Sequence, residues 1–191
     1  MQKIIGLAAV IVTLSVLSSC GWNTEPPPAA PVPAPLASVP LASDIDQAFL
    51  QAMVPHHEMA IEMATLAGQK AKNPALKTMA GGIIRTQRDE IATMRKIHLR
   101  LFGGELEPDL MAHDRLGMTM TESGMNMDMA LLGQAADFDR MFAEQMTQHH
   151  QGAINMARKV MAQTTDEEIR TLAESIIAAQ TGEIAALAAV R

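Results

Sequence analysis

The chain has 191 residues, enough for one ordinary domain with appended segments, and 48% of them are hydrophobic. Its formal net charge is −6, without the clustered Lys and Arg that bind phosphate groups, so nucleic-acid binding is not expected. The large side chains are unusual in type, with 16 Met against four Phe, one Trp and no Tyr. Because Met is normally a minor gap-filler in protein cores, this bias indicates that something besides packing selects sulfur.

The first 20 residues have the pattern of an export signal. Lys3 precedes an apolar run too short for a convincing membrane-spanning helix, and the run ends in Leu17-Ser18-Ser19-Cys20. These four residues resemble the bacterial lipobox, in which the cysteine becomes the lipid-modified first residue of the mature protein. A lone free thiol is the alternative, but Cys20 is the only cysteine and directly follows the apolar run. We therefore expect a lipoprotein signal peptide over residues 1–20 and a membrane-anchored protein in the periplasm or on the cell surface.

Residues 21–43 are expected to form a spacer. Seven of the ten prolines lie between Glu25 and Pro40, mixed with Ala and without apolar periodicity. Such a composition favours an extended, solvated chain. The spacer would hold the following domain away from the membrane.

Residues 44–191 contain an internal duplication. An offset of 93 residues aligns Asp46–Met94 with Asp139–Leu187 without a gap, and 17 of the 49 pairs are identical. Chance would give about three identities at typical residue frequencies. Polar positions are repeated as well as apolar ones, including Met53/Met146, His56/His149, His57/His150, Gln87/Gln180 and Glu90/Glu183.

The first copy predicts two amphipathic helices. Ser43 and Asp46 resemble a capping box and predict a helix over residues 44–69. Asn73-Pro74 places a good cap before a proline and predicts a second helix over residues 74–101.

The second copy predicts a matching pair of helices. One begins near Asp137 and breaks around Thr164-Thr165, and the other begins with the capping pattern Thr165-x-x-Glu168 and runs nearly to Arg191. Two such hairpins bury their apolar stripes most simply against each other, which predicts an all-α, up-down four-helix bundle with pseudo-twofold symmetry. The connection over residues 102–136 is longer than an ordinary bundle loop, which indicates a functional or disordered segment.

Polar side chains interrupt the apolar faces of these helices. His56 and His57 flank the buried stripe of the first helix, and Gln87 and Glu90 lie on the apolar face of the second. A buried polar group without a partner costs about 1–3 kcal/mol, so the Gln and Glu of each copy are expected to bond to the histidines. In metal sites a carboxylate often accepts the second N–H of a ligating His, and Glu90 and Glu183 suit that role or direct ligation.

The spacing of Met and His indicates a metal site. Met53 and His57 are separated by one helical turn, and Met146 and His150 repeat that spacing. Thioether and imidazole suit copper, foremost Cu(I), with Cu(II) and Ag(I) as alternatives, whereas Mg, Ca and Mn prefer oxygen ligands and structural Zn usually recruits thiolate. Buried Met and His often serve packing alone. The two doublets, which stand in register and hold four of the six histidines, favour metal binding.

Pro55 lies inside the predicted first helix. It removes one backbone hydrogen bond and leaves the carbonyl of Gln51 without its usual donor, so we expect a local kink. The second copy has Gln148 at this position, and a kink is therefore not required of both copies.

The connection carries Met111 and His113, and among Gly, Ser, Thr and Asn it carries five further thioethers: Met118, Met120, Met125, Met127 and Met129. Exposed Met in a polar segment has no packing explanation. The segment is therefore predicted to be a flexible Cu(I)- or Ag(I)-binding array. The alternative is that part of it docks on the bundle as a short helix.

The segments MVPHHEMAIEMA at Met53–Ala64 and MTQHHQGAINMA at Met146–Ala157 resemble the twin motifs of the family called domain of unknown function 305. This resemblance implies a ferritin-like helical fold and a secreted or lipid-anchored protein. For some members it further implies copper binding and copper tolerance outside the cytoplasm. The main departure is Glu58-Met59, where a Gln-Gly pair like that of the second copy would match better.

These patterns favour an extracytoplasmic, non-enzymatic copper-binding protein that sequesters or delivers the ion, with a second copper protein as donor or recipient. One alternative is a di-metal iron or manganese oxidase on a ferritin-like scaffold. Such a site needs more carboxylates than the repeat preserves, because Gln151 and Asn155 stand where the first copy has Glu58 and Glu62. The other alternative is a metal-free helical interaction module, in which the His doublets would be idle.

Overall fold

The computed structural model describes residues 43–189, so Cys20, the expected signal peptide and nearly all of the expected spacer lie outside the described residues. The described part contains no strand and consists of five α-helices and one 3-10 helix. These are α1 (Asp44–Lys70), α2 (Pro74–Phe102), the 3-10 helix (Ala112–Leu116), α3 (Met129–Gln134), α4 (Phe138–Met161) and α5 (Glu167–Ala188). None of these helices combines the length and apolar character needed to cross a membrane.

The helix starts follow the caps in the sequence, with one exception. Ser43 and Asp46 form the predicted capping box of α1, and the side chain of Asn73 caps α2. The predicted cap Thr165 of the last helix is wrong by one residue. Asp166 caps α5 instead, because its carboxylate accepts hydrogen bonds from the backbone N–H groups of residues 168 and 169, both at 3.1 Å.

The four long helices form the predicted bundle of two hairpins. α1 pairs with α2 and α4 pairs with α5, and the hairpins meet mainly along α1 and α4. The contact between α2 and α5 is much sparser. The 93-residue offset relates α1 to α4 and α2 to α5, so the observed pairing has the pseudo-twofold order expected from the repeat.

A polar layer divides the interior of the bundle. The first apolar cluster holds the beginnings of α1 and α5 with the ends of α2 and α4, and the second holds the opposite halves of these helices. Between the clusters each long helix contributes polar side chains. We call this set the polar layer; it consists of His56, His57, Gln87, Glu90, His149, His150, Gln180 and Glu183.

The connection between the hairpins packs on the bundle, and the expectation that its Met side chains are exposed is wrong for most of them. Met118 and Met125 are only 4% and 7% exposed, and Met127 and Met129 pack against the second apolar cluster. Met120 alone among the five predicted ligands is substantially exposed, at 37%. The thioethers are apolar enough to fill gaps beside the helices, so the alternative of a docked segment with a short helix is correct.

Pro55 is accommodated by this connection. α1 is continuous through Pro55, and the carbonyl of Gln51 accepts a hydrogen bond at 3.0 Å from the backbone N–H of Asp109. The side chain of Gln51 also donates to the carbonyl of Glu107 and accepts from Arg115. The connection therefore supplies the donor that proline removes.

The connection crosses α4 at a pair of glycines. Gly124 has a positive φ of 72°, and a Cβ there would come within 3.0 Å of backbone atoms of His149. The backbone of Ser123 lies directly against Gly152, where a Cβ would collide with it. The matching residue of the first copy, Met59, packs instead against the second apolar cluster. This difference accounts for the departure between the two sequence motifs.

Candidate metal centre

Four buried imidazoles form a row across the middle of the bundle. Ring centroids are 6.1 Å apart for His57 and His56, 3.7 Å for His56 and His149, and 6.5 Å for His149 and His150. The central pair is stacked, with 15° between the ring planes. All four side chains are fully buried. The doublets that the sequence singled out are therefore brought together into one continuous arrangement.

A glutamate stands at each end of the row, as the sequence predicts. Glu90 Oε2 lies 2.8 Å from Nε2 of His57, and Glu183 Oε2 lies 2.7 Å from Nε2 of His150. Neutral His57 can donate Nε2–H to Glu90, which leaves its Nδ1 lone pair without a protein partner. At His150 the carboxylate is close but lies off the direction of the ring N–H, so the contact is electrostatic rather than a hydrogen bond.

The two central histidines have opposite surroundings. Neither ring nitrogen of His56 has a hydrogen-bond partner. His149 places Nδ1 at 2.8 Å from the carbonyl of Gly124 and Nε2 at 3.0 Å from the carbonyl of His56. A neutral imidazole has one N–H, so one of these contacts sets a nitrogen lone pair against a carbonyl oxygen. His149 is thus held by backbone, whereas the other three rings present unpartnered nitrogens.

Burial keeps the central rings neutral. It lowers the pKa of His149 to about 4, although the carbonyl of Gly124 opposes this effect, and the nearby His150 lowers it further. Burial also lowers the pKa of His56 well below its usual value, and the charges that His149 and His57 would carry add to that effect. Because imidazole must be neutral to coordinate a metal, both rings are in the protonation state that ligation needs.

Gln87 and Gln180 do not bond to the histidines, so that expectation is wrong in this structure. Each side chain is 1% exposed, and neither amide oxygen nor amide nitrogen has a hydrogen-bond partner. Their spacing along the helices placed them in the correct layer, but spacing does not fix the rotamers that decide contact. The layer therefore contains electron-pair donors without hydrogen-bond partners. Each such buried polar group destabilises the folded protein by about 1–3 kcal/mol.

Met53 and Met146 lie on opposite sides of this layer. Both are fully buried, Met53 in the first apolar cluster and Met146 in the second, each one turn from its histidine. Within residues 43–189 no three His, Cys, Asp or Glu side chains converge on a ready-made metal position. A site built here consequently needs thioether or amide donors, or a rotation of the imidazoles.

Sequence reasoning missed the backbone of Gly124 as a partner of His149. The carbonyl has no side-chain signature, and its segment shows no periodicity that would place it on α4. The one available signal was the replacement of Met59 by Gly152 between the copies, since a glycine on a buried helix face marks close approach of another backbone.

Comparisons with known proteins agree with this fold. The model of the family Domain of unknown function (DUF305) matches residues 46–191. CopM has been solved in apo, Cu(I)-bound, Cu(II)-bound and Ag-bound forms. Its Cu(I)-bound form is 36% identical, with a TM-score of 0.63 over 74% of this chain and 91% of that chain. A DUF305 protein of Streptomyces coelicolor is 26% identical, with a TM-score of 0.67 over 76% of this chain and 91% of that chain.

A curated relative matches over a shorter segment. Uncharacterized protein L153 of Acanthamoeba polyphaga mimivirus is 40% identical over 52 residues. The match covers 27% of this chain and 34% of the viral protein, so it spans about a third of that relative.

Proposed function

This chain belongs to the DUF305 family, and on that premise we propose that it binds copper outside the cytoplasm and sequesters or delivers the ion for copper tolerance. The proposal is supported by CopM, a structural relative whose copper- and silver-bound forms are solved. Its partners would be the metal ion, a membrane reached through lipid at Cys20, and a second copper protein.

One observation carries the proposal. Five ring nitrogens of His56, His57 and His150 are buried in one layer without hydrogen-bond partners. Packing alone does not account for them, because each unsatisfied buried polar group is destabilising. Each neutral ring has one lone pair, so a metal ion that binds one nitrogen of each of these three rings would remove part of that cost.

The donor set favours soft ions. Met53 with His57, and Met146 with His150, would supply one thioether and one imidazole from each copy. Glu90 would fix the tautomer of His57 through its hydrogen bond or ligate directly, and Glu183, which lies beside His150 without such a bond, would ligate directly. Neutral thioethers suit Cu(I) and Ag(I), and the nitrogen and oxygen donors extend the range to Cu(II).

The Met-rich connection is a second, weaker part of the proposal. Met120 is exposed and available to an ion, while Met118, Met125, Met127 and Met129 are occupied by packing in this arrangement. Thioethers do not titrate, so an ion held there would survive acidification that protonates the imidazoles. A copper fraction that remains in His57→Gln/His150→Gln, and is lost when these five Met are also changed to Leu, is the expected signature.

The oxidase alternative receives less support. Glu58 and Glu62, which it would recruit from α1, are both exposed, and the polar layer holds only the carboxylates of Glu90 and Glu183. Metal analysis of protein purified from the cell envelope distinguishes the copper protein, the oxidase and the metal-free interaction module. Copper supports the proposal, two irons or manganese ions support the oxidase, and no metal supports the interaction module.

The test is an anaerobic Cu(I) titration against a colorimetric chelator. We expect His57→Gln/His150→Gln to weaken binding at least tenfold with unchanged helical circular dichroism, because glutamine keeps polarity but removes imidazole. The control is His98→Gln. His98 is also buried but lies outside the polar layer and bonds to the carbonyl of Gly104. Wild-type affinity in the double variant would overturn the polar layer as the binding site.

A further inference from the structure

A groove opens between α2 and α5, where the two helices contact each other sparsely. Its volume is about 520 Å³, and it runs along the second half of α2 and the first half of α5. Four acidic residues line it, two from each helix: Asp89, Glu90, Glu167 and Glu168. The hydroxyls of Thr93 and Thr171 add further oxygen atoms to its walls.

Glu90 joins this groove to the polar layer. Its side chain lines the groove yet is 9% exposed, and Oε2 contacts Nε2 of the fully buried His57 at 2.8 Å. The other carboxylate oxygen, Oε1, is buried without a hydrogen-bond partner. Gln87, one turn away on α2, has an equally unpartnered amide. Glu90 is therefore the residue through which the wall of the groove contacts the row of imidazoles.

The mouth of the groove keeps a negative charge. Glu168 is paired with Arg100, whose Nε lies 3.1 Å from its carboxylate. Asp89 and Glu167 have no ion-pair partner within residues 43–189. An uncompensated negative charge in a cleft with low-dielectric walls raises the local concentration of cations.

The internal repeat provides a comparison within the same molecule. At the positions equivalent to Asp89, Glu167 and Glu168 the other half of the interface has Gly182, Pro74 and Ala75. Only Glu90 is matched by an acid there, Glu183. The glutamate beside the imidazoles is thus common to both copies, whereas the acidic mouth is present in one.

We propose that this groove is the access route by which a hydrated copper cation reaches the polar layer. Asp89 and Glu167 attract the ion, and Glu90, whose buried Oε1 has no hydrogen-bond partner, is the first donor of the polar layer that it meets. The inference rests on the proposed copper binding and deepens it. The acids do not form a chelating cluster, so their effect is on the rate of association.

The experiment is rapid mixing with Cu(II), followed at millisecond delays by a colorimetric chelator that captures the unbound ion. Asp89→Asn/Glu167→Gln is expected to associate about three- to tenfold more slowly at low salt, with the binding stoichiometry unchanged. The difference should shrink as salt rises, since exposed charges are screened. The matched control is Glu62→Gln/Glu107→Gln, which removes the same charge from exposed positions outside the groove.

A second variant tests the route without changing charge. Thr171→Trp places a large ring in the groove, so both association and dissociation should slow while the Kd stays the same. Wild-type rates in both groove variants, with copper still bound at equilibrium, would overturn the route alone. A wild-type protein that binds no copper would overturn the route together with the proposed function.

Discussion

The contact between Glu90 and His57 gives the two ring nitrogens of His57 different roles. The carboxylate accepts a hydrogen bond from Nε2–H, so the lone pair of the ring is on Nδ1, which has no protein partner. The repeat made this pairing predictable, because the same Glu and His recur at the same offset. The backbone contacts of His149 were not predictable, since carbonyl groups leave no trace in a side-chain pattern.

Glu90→Gln should therefore weaken copper binding about 10- to 100-fold, the usual effect of losing a carboxylate that orients a ligating imidazole. The side chain keeps its size, so helical content should not change. Copper competition titrations compare this variant with Glu62→Gln on the exposed face of α1. An affinity equal to that of the wild type would show that Glu90 does not orient the ring.

The starts of the helices could be predicted from the sequence, but the packing of the connection could not. The starts of α1 and α2 followed from local capping and, for α2, from proline at the first helical position, which are properties of a few adjacent residues. The packing of residues 104–128 depended on distant partners, chiefly Gln51 on α1 and His149 on α4. A polar segment with Met was interpreted as exposed because its partners could not be identified from its own sequence.

Gly152→Ala should destabilise the protein by about 1–3 kcal/mol, because the added methyl group meets the backbone of Ser123. Urea unfolding monitored by circular dichroism measures the change. Gly182→Ala is the matched control. It lies in α5 with nothing within 4 Å of the added carbon, so it should stabilise by up to about 1 kcal/mol. Equal stability of the two variants would mean that the connection does not press on α4.

The whole bundle places neutral histidines in its centre, and this makes stability depend on pH. In the folded protein the pKa of His149 is about 4 and that of His56 is well below the ordinary value of 6.5. At a pH between the folded and the ordinary pKa, these histidines are protonated in the unfolded chain and neutral in the folded one. The stability that depends on these neutral histidines is fully present above about pH 6.5 and is lost as the pH falls toward their folded pKa values. For His149 alone the free energy of unfolding falls by about 3 kcal/mol when the pH reaches 4.

Thermal unfolding of the metal-free protein between pH 7.5 and 4.5 measures this dependence. The Tm of the wild type should fall more steeply than that of His149→Gln, in which one of the buried titrating groups is absent. Parallel slopes would show that surface carboxylates account for the acid sensitivity.

The fold itself was predictable because duplication supplied two independent copies of the same pattern. Two hairpins with one apolar stripe each have few ways to bury it, and a four-helix bundle is the simplest. The duplication suggested equivalent halves, and the structure departs from that equivalence. The acidic residues at the mouth of the groove and the glycine at the crossing have no counterparts at the matching positions of the other copy.

The crossing at Gly152 also shows how one chain can make two copies of a repeat different. A pair of separate, identical hairpins would carry identical faces, and every position in it would occur twice. A connecting segment belongs to neither copy, so it can cover one imidazole and leave its counterpart free, as it does with His149 and His56. Two copies of one sequence motif therefore hold histidines with different surroundings in the same molecule.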